Sequence, residues 1–299
     1  YEAFEEETGI DVRVVEAGSD ELIQRLAAEG EQSQADLIIT ADVGRLHRAK
    51  EMDLLQPVES AVLTDRLPAR LRDPENQWFA LTKRARIVAY HRERADRSIL
   101  STYAALAGPG FADNIAVRSS GNVYNQSLLA SIVAHNGEDA ARDWAVGVVA
   151  NMAREPQGGD RDQLRAIAAG EADYAIVNTY YVGQMLTSSD PQDRAVAEQI
   201  GVFFPNQDGR GAHVNISGAG VTRVADNVDG AIRLIEFMLS DDSQRQVAQA
   251  NYEYPAVDGI AAAPEIAAWG DLKEDALPLT RIGELNDTAV RIFDEVGWQ

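Results

Sequence analysis

Hydrophobic and polar positions along the chain alternate between two periods. Val12, Val14 and Val15 form a short β-branched run, and the spacing predicts a strand over 12–16. Leu22, Ile23 and Leu26 then recur at helical spacing, predicting a helix over 19–29, with Ser19 placed to cap it and Gly30 to end it. The run Asp-Leu-Ile-Ile-Thr at 36–40 reads as the next strand, followed by a helix from Asp42. A β–α–β–α opening of this kind predicts a parallel sheet.

Residues 78–90 (WFALTKRARIVAY) depart from that rhythm. They are extended in character, yet carry Lys83, Arg84 and Arg86 in their middle. A second α/β unit follows, with strands expected at 115–118, 173–177 and 202–205 and helices at 124–135 and 139–153. Residues 213–222 (HVNISGAGVT) are again extended, and Ile232, Leu234, Ile235 and Met238 mark a helix over 229–240. Two extended stretches bracketing an α/β unit predict a two-lobe α/β protein in which the chain leaves one lobe near residue 83 and returns near 215. The expected division is residues 1–82 with 215–255 for lobe one, 83–214 for lobe two, and 256–299 as a helical segment packed on both. A length of 299 residues suits two cores better than one. A double crossover is what a hinge requires, since two strands bend together while each lobe stays rigid.

Composition narrows the chemistry. A formal net charge of −21 with no basic stripe argues against nucleic acid, because a polyanion would be repelled. The chain has no cysteine, so disulfides, zinc–thiolate sites, iron–sulfur clusters and thiol nucleophiles are excluded together, and any metal must be held by oxygen or imidazole. His47, His91, His135 and His213 are scattered, and neither a phosphate-binding loop nor a nucleophile elbow is present. An enzyme has little to stand on here.

The tyrosines carry the positive signal. Tyr124 follows the strand expected at 115–118, and Tyr180 and Tyr181 follow the one expected at 173–177. In open α/β sheets ligands bind beyond the carboxyl ends of strands, so two such loops can face one cleft. Phenolate is a hard anionic ligand suited to a hard trivalent cation, and helix N-termini just beyond these tyrosines would favour its charged form, as would Lys83, Arg84 and Arg86 nearby. Spacing alone leaves the bland reading open. A tyrosine at a strand end is more often a packing residue, and Tyr252 and Tyr254 near Pro255 are read as packing aromatics outside the site.

At these loops the chain resembles the bacterial ferric-iron-binding proteins of ABC importers, a transferrin-like class of periplasmic binding proteins. It is most similar to the cyanobacterial-type branch, which coordinates iron mainly through tyrosines. The resemblance is carried by Trp78–Arg86 (WFALTKRAR), Tyr124-Asn125-Gln126-Ser127, Ala153–Gly158 (AREPQG), Asn178-Thr179-Tyr180-Tyr181, Val202–Gln207 (VFFPNQ), Gly209-Arg210-Gly211 and Asn251–Pro255 (NYEYP). It implies the type II, transferrin-like two-lobe fold with a double-strand hinge. It also implies Fe(III) as cargo, Tyr124, Tyr180 and Tyr181 as metal ligands, and Arg84 as an adjoining cation that balances phenolate charge. An ABC permease as partner, an extracytoplasmic location and a monomeric, non-enzymatic protein follow from the same resemblance. The family's Ser-Arg-His-Tyr motif, with one more tyrosine ligand, would precede Tyr1 and is absent, as expected for a trimmed sequence lacking an inner strand of lobe one. An arginine found in some relatives after the tyrosine pair is Gln184 here. Another small solute, an organic anion or a thiamine-like compound, is the alternative cargo for the same fold.

Overall fold

The computed structural model describes all 299 residues. Seven strands form its sheets: β1 (Leu37–Ala41), β2 (Phe79–His91), β3 (Ile115–Ala116), β4 (Tyr174–Asn178), β5 (Ile200–Phe203), β6 (Val214–Val221) and β7 (Tyr254–Pro255). The order is β1-β6-β2-β4-β3, with β5 and β7 also pairing on β2.

β2 organises the molecule. Its first half, Phe79 to Ala85, runs antiparallel to β6 from Ala219 to Val214. Its second half pairs antiparallel with β4, from Arg86 opposite Asn178 to Tyr90 opposite Tyr174, and with β5 from Val88 to His91. One strand therefore leaves one sheet and enters another between Ala85 and Arg86. The returning chain crosses at the same level, where the Arg86 amide donates to the His213 carbonyl at 2.9 Å. Every residue of β2 is buried, which explains why its pattern has no exposed face despite three cations.

Alternation sorts these side chains. Ala85, Ile87 and Ala89 join Ala175 and Val177 in a core of 17 residues on one face of the second sheet. Val88 and Tyr90, with Tyr174 and Ile176, face a core of 47 residues that also contains Ile38, Leu46, Phe79 and Ile216 from the first sheet. The C-terminal helices Leu279–Glu284 and Asn286–Val296 extend that larger core, packing on the helices Val43–Glu51, Val123–Asn136 and Glu138–Ala150. No helix is long and apolar enough to cross a membrane.

Three expectations from the sequence need correction. Residues 12–16 form no strand: Val14 and Val15 are 50% and 58% exposed, and nothing pairs with them. The β-branched run has the propensity, but a strand exists only with a neighbour to bond it. The parallel opening consequently does not form. β1 runs antiparallel to β6, and parallel pairing between strands is confined to β3 with β4. Ser19 is the first residue of its helix rather than its cap; Gly18 holds that position with no side-chain bond. Gly30 ends the helix as expected, with φ 53°.

Candidate metal centre

β3 and β4 lie side by side and parallel, so their carboxyl ends open on the same edge. Beyond β3 the chain turns and enters the helix Val123–Asn136, where the Asn122 side chain caps the first turn by accepting from the Tyr124 amide at 3.1 Å. Beyond β4 it enters the helix Thr179–Leu186 directly. Tyr124, Tyr180 and Tyr181 thus all sit in the first turn of a helix, half-buried, with the positive end of each helix dipole beneath them.

The three rings converge. The Tyr124 and Tyr180 hydroxyls lie 3.3 Å apart, and the Tyr180 and Tyr181 ring centroids are separated by 4.1 Å. Arginines surround them. The Arg84 guanidinium lies 5.4 Å from the Tyr124 ring centroid, Arg118 lies 5.6 Å from the same ring, and Arg161 lies 6.0 Å from the Tyr181 ring. Arg84 is 1% exposed; its Nη1 donates to Ser217 Oγ at 2.8 Å and approaches Glu253 Oε1 at 3.4 Å. Its Nε and Nη2 have no partner. Glu253 in turn accepts from the Thr82 hydroxyl at 2.9 Å.

The cations of β2 separate by the two-residue period. Arg84 and Arg86 share the face toward the tyrosines. Lys83 points away and binds Glu274 at 2.6 Å, so it contributes nothing to this site.

Electrostatics set the resting state. Burial pushes the Tyr180 hydroxyl well above the ordinary phenol range, and its neighbours Tyr124 and Tyr181 raise it further, while Arg84 pulls it down. Burial likewise raises Tyr181, with Tyr124 and Asp160 adding to it and Arg118 opposing. Tyr180 and Tyr181 are therefore protonated when the site is empty, since phenolates so close together repel unless a cation sits among them. Burial disfavours the charge on Arg84, but Glu253, Tyr124 and Asp42 outweigh it and hold the guanidinium firmly protonated. No group of three or more His, Asp and Glu side chains is placed to hold a metal elsewhere. Two surface cavities of about 480 and 510 Å³ open near His47 and Glu284, and neither is lined by the tyrosines.

Reasoning from sequence brought Tyr124, Tyr180, Tyr181 and Arg84 to one place, and the structure brings them together. It missed Arg118, Asp160, Arg161, Ser217 and Glu253. Arg118 ended an expected strand, and Asp160 fell in a stretch between the helix expected at 139–153 and the strand expected at 173–177, so neither carried a local signal. Tyr252, set aside as a packing aromatic, does pack, but against the tyrosine-bearing helix: a Cβ built on Gly183 would lie 2.7 Å from Tyr252 Cβ.

Two sheets threaded by one strand, with ligand-type side chains gathered at the strand ends, define a two-lobed, transferrin-like solute-binding protein rather than an enzyme. The chain belongs to the family of bacterial extracellular solute-binding proteins, whose model matches residues 32–271. It is 46% identical over 299 residues to iron uptake protein A1 of Synechocystis sp., covering 100% of this chain and 83% of that protein. Among solved structures it matches the Trichodesmium IdiA (FutA) protein in complex with iron and citrate, with a TM-score of 0.97 and 44% identity, covering 100% of this chain and 95% of that one. It also matches the ferric binding protein of Campylobacter jejuni, with a TM-score of 0.95 and 45% identity over the same shares of the two chains.

Proposed function

We propose that this protein is the extracytoplasmic binding component of an ABC importer for ferric iron, taking Fe(III) on the phenolate oxygens of Tyr124, Tyr180 and Tyr181 and presenting it to a membrane permease. The observation that carries this reading is the convergence of three phenols from the ends of two adjacent parallel strands, with the Tyr124 and Tyr180 hydroxyls 3.3 Å apart beside the buried Arg84. Oxygen ligands suit a hard trivalent ion, and each phenol gives up its proton to become a phenolate ligand when the metal arrives. Arg84 offsets part of the negative charge that three phenolates bring. The relatives named for iron supply the cargo; the donor set of this chain fits it.

Residues 83–214 form lobe two in this reading, closing on 1–82 with 215–255 about the crossing at Ala85 and Arg86, while 256–299 spans both. Tyr180→Phe with Tyr181→Phe tests the ligands. The double variant should fold and lose the visible phenolate–iron absorbance on addition of Fe(III), and full retention of that band would refute the proposal. The partnerless Nε and Nη2 of Arg84 favour one second reading, an organic anion as cargo. Calorimetric titration with citrate in the absence of iron separates the two, since only an anion-binding protein would respond.

A further inference from the structure

Asp160 is 1% exposed at the start of the helix Asp160–Ala169, on neither of the loops that carry the tyrosines. All of its polar contacts nevertheless go to those loops or to β2, the strand that pairs with β4. Its Oδ2 accepts from the Asn178 amide at 2.8 Å, at the residue that leads into Thr179-Tyr180-Tyr181. Its Oδ1 accepts from Arg118 Nη1 at 3.3 Å, and Arg118 lies over the Tyr124 ring. Oδ2 also accepts from Arg86 Nη1 at 2.6 Å, and the same guanidinium gives Nη2 to Asn125 Oδ1 at 2.7 Å, one residue beyond Tyr124. Asn125 closes the circuit by donating to the Arg118 carbonyl at 2.9 Å.

We infer that Asp160 is the positioning residue of the metal centre: one buried carboxylate ties the Tyr124 loop to the Tyr180–Tyr181 loop and sets the distance at which their hydroxyls meet. The inference rests on the tyrosine-ligand reading above. A hydrogen-bonded carboxylate between two guanidiniums has little freedom to move, because each arm lost leaves a buried charge without its partner. Two loops held to one rigid point keep their spacing, and spacing decides how well several oxygens bind one ion. A carboxylate that only stabilised the second sheet would have no reason to contact both ligand loops and little else.

Asp160→Asn is the test. The amide keeps an acceptor for the Asn178 amide but presents NH₂ to a guanidinium, so one side of the clamp opens. Loss of a group that orients metal ligands from behind typically costs 10–100-fold in metal affinity. Citrate competition for Fe(III) should show a loss on the order of tenfold or more, and the phenolate–iron absorption maximum should shift, because the ligand oxygens no longer meet the ion at the same geometry. A residue serving only the fold would lower the melting temperature and leave affinity and band where they were; that result overturns the inference. Should Asp160→Asn fail to fold, Arg118→Gln removes a single arm at a side chain 20% exposed. It should weaken iron binding and shift the band in the same direction, and wild-type values there overturn the inference equally. The Tyr180→Phe, Tyr181→Phe double variant is measured alongside. If it keeps the iron band, the ligand reading fails and takes the Asp160 assignment with it. If it loses the band while Asp160→Asn binds as wild type, the Asp160 assignment fails alone.

Discussion

Gly183 lies on the third residue after Tyr180, in the same short helix, and its missing side chain determines how closely that helix approaches its support. A Cβ there would stand 2.7 Å from Tyr252 Cβ, 2.9 Å from Ile266 Cδ1 and 3.0 Å from Tyr252 Cγ. Ordinary contact needs about 3.5–4.0 Å between carbons, so Gly183→Ala forces a separation of roughly 1 Å. Ile266 Cδ1 can swing aside, but Tyr252 Cβ is fixed to the backbone and cannot. Overpacking of this kind costs about 1–3 kcal/mol, against about 1 kcal/mol gained from alanine's helix propensity. The clash should win, with a net loss of about 1 kcal/mol in denaturant unfolding. The displaced helix carries Tyr180 and Tyr181, so iron affinity should fall further than stability does. Tyr252 offers an internal check, because it ends its helix in the left-handed region at φ 60°, where glycine sits without strain. Tyr252→Gly removes the clashing Cβ together with that strain. The double variant Gly183→Ala, Tyr252→Gly should therefore recover iron affinity relative to Gly183→Ala alone, measured by citrate competition. Gly183→Ala with unchanged affinity and equal or greater stability would refute the reasoning, as would a double variant no better than the single one.

Two further outcomes follow from the charges. Arg84 pulls the Tyr180 proton affinity down, so Arg84→Ala should let protons displace iron at a higher pH than in wild type, whereas Arg84→Lys, which keeps the charge, should stay closer to wild type; superimposable acid-release curves for Arg84→Ala would remove Arg84 from the site. His213 is buried, and burial together with Arg86, Arg210 and Arg84 depresses its imidazole to about 3. Protons then bind the unfolded chain but not the native one as pH falls below about 6.5, so the iron-free protein should lose about 2 kcal/mol of stability between pH 7 and pH 5 from this group. Denaturant unfolding across that range checks it, and a His213→Asn variant with the same slope as wild type would show that the loss arises elsewhere.

Much of the site was legible in the sequence because its parts are local. A tyrosine in the first turn of a helix after a strand is a statement about neighbouring residues, and it marked Tyr124, Tyr180 and Tyr181 as candidates, while the resemblance supplied their role as ligands. The sequence grouped Lys83 with Arg84 and Arg86, and only the structure turned Lys83 away to Glu274. The motif matches, spread from Trp78 to Pro255, carried the family and with it the two-lobe fold. None of this required knowing where any strand lay relative to another.

What depended on relative placement stayed hidden. Residues 12–16 have strand propensity but no strand, because pairing belongs to two segments at once and nothing in that run encodes its neighbour. The antiparallel contact of β1 with β6, Leu37 opposite Val221, joins stretches far apart in the chain and replaced the parallel opening that local rhythm suggested. Asp160 is the plainest case. Along the chain it is one acidic residue among 48 Asp and Glu, indistinguishable from the others. Folding brings it, fully buried, to the Asn178 amide, Arg86 and Arg118 together, and only burial among those three partners turns a common carboxylate into the point on which two loops are hung. The sequence by itself determined which side chains can bind a hard cation, since that is a property of each residue's chemistry. The tertiary structure decided which of them meet and what holds them there, since distance and burial exist only between segments.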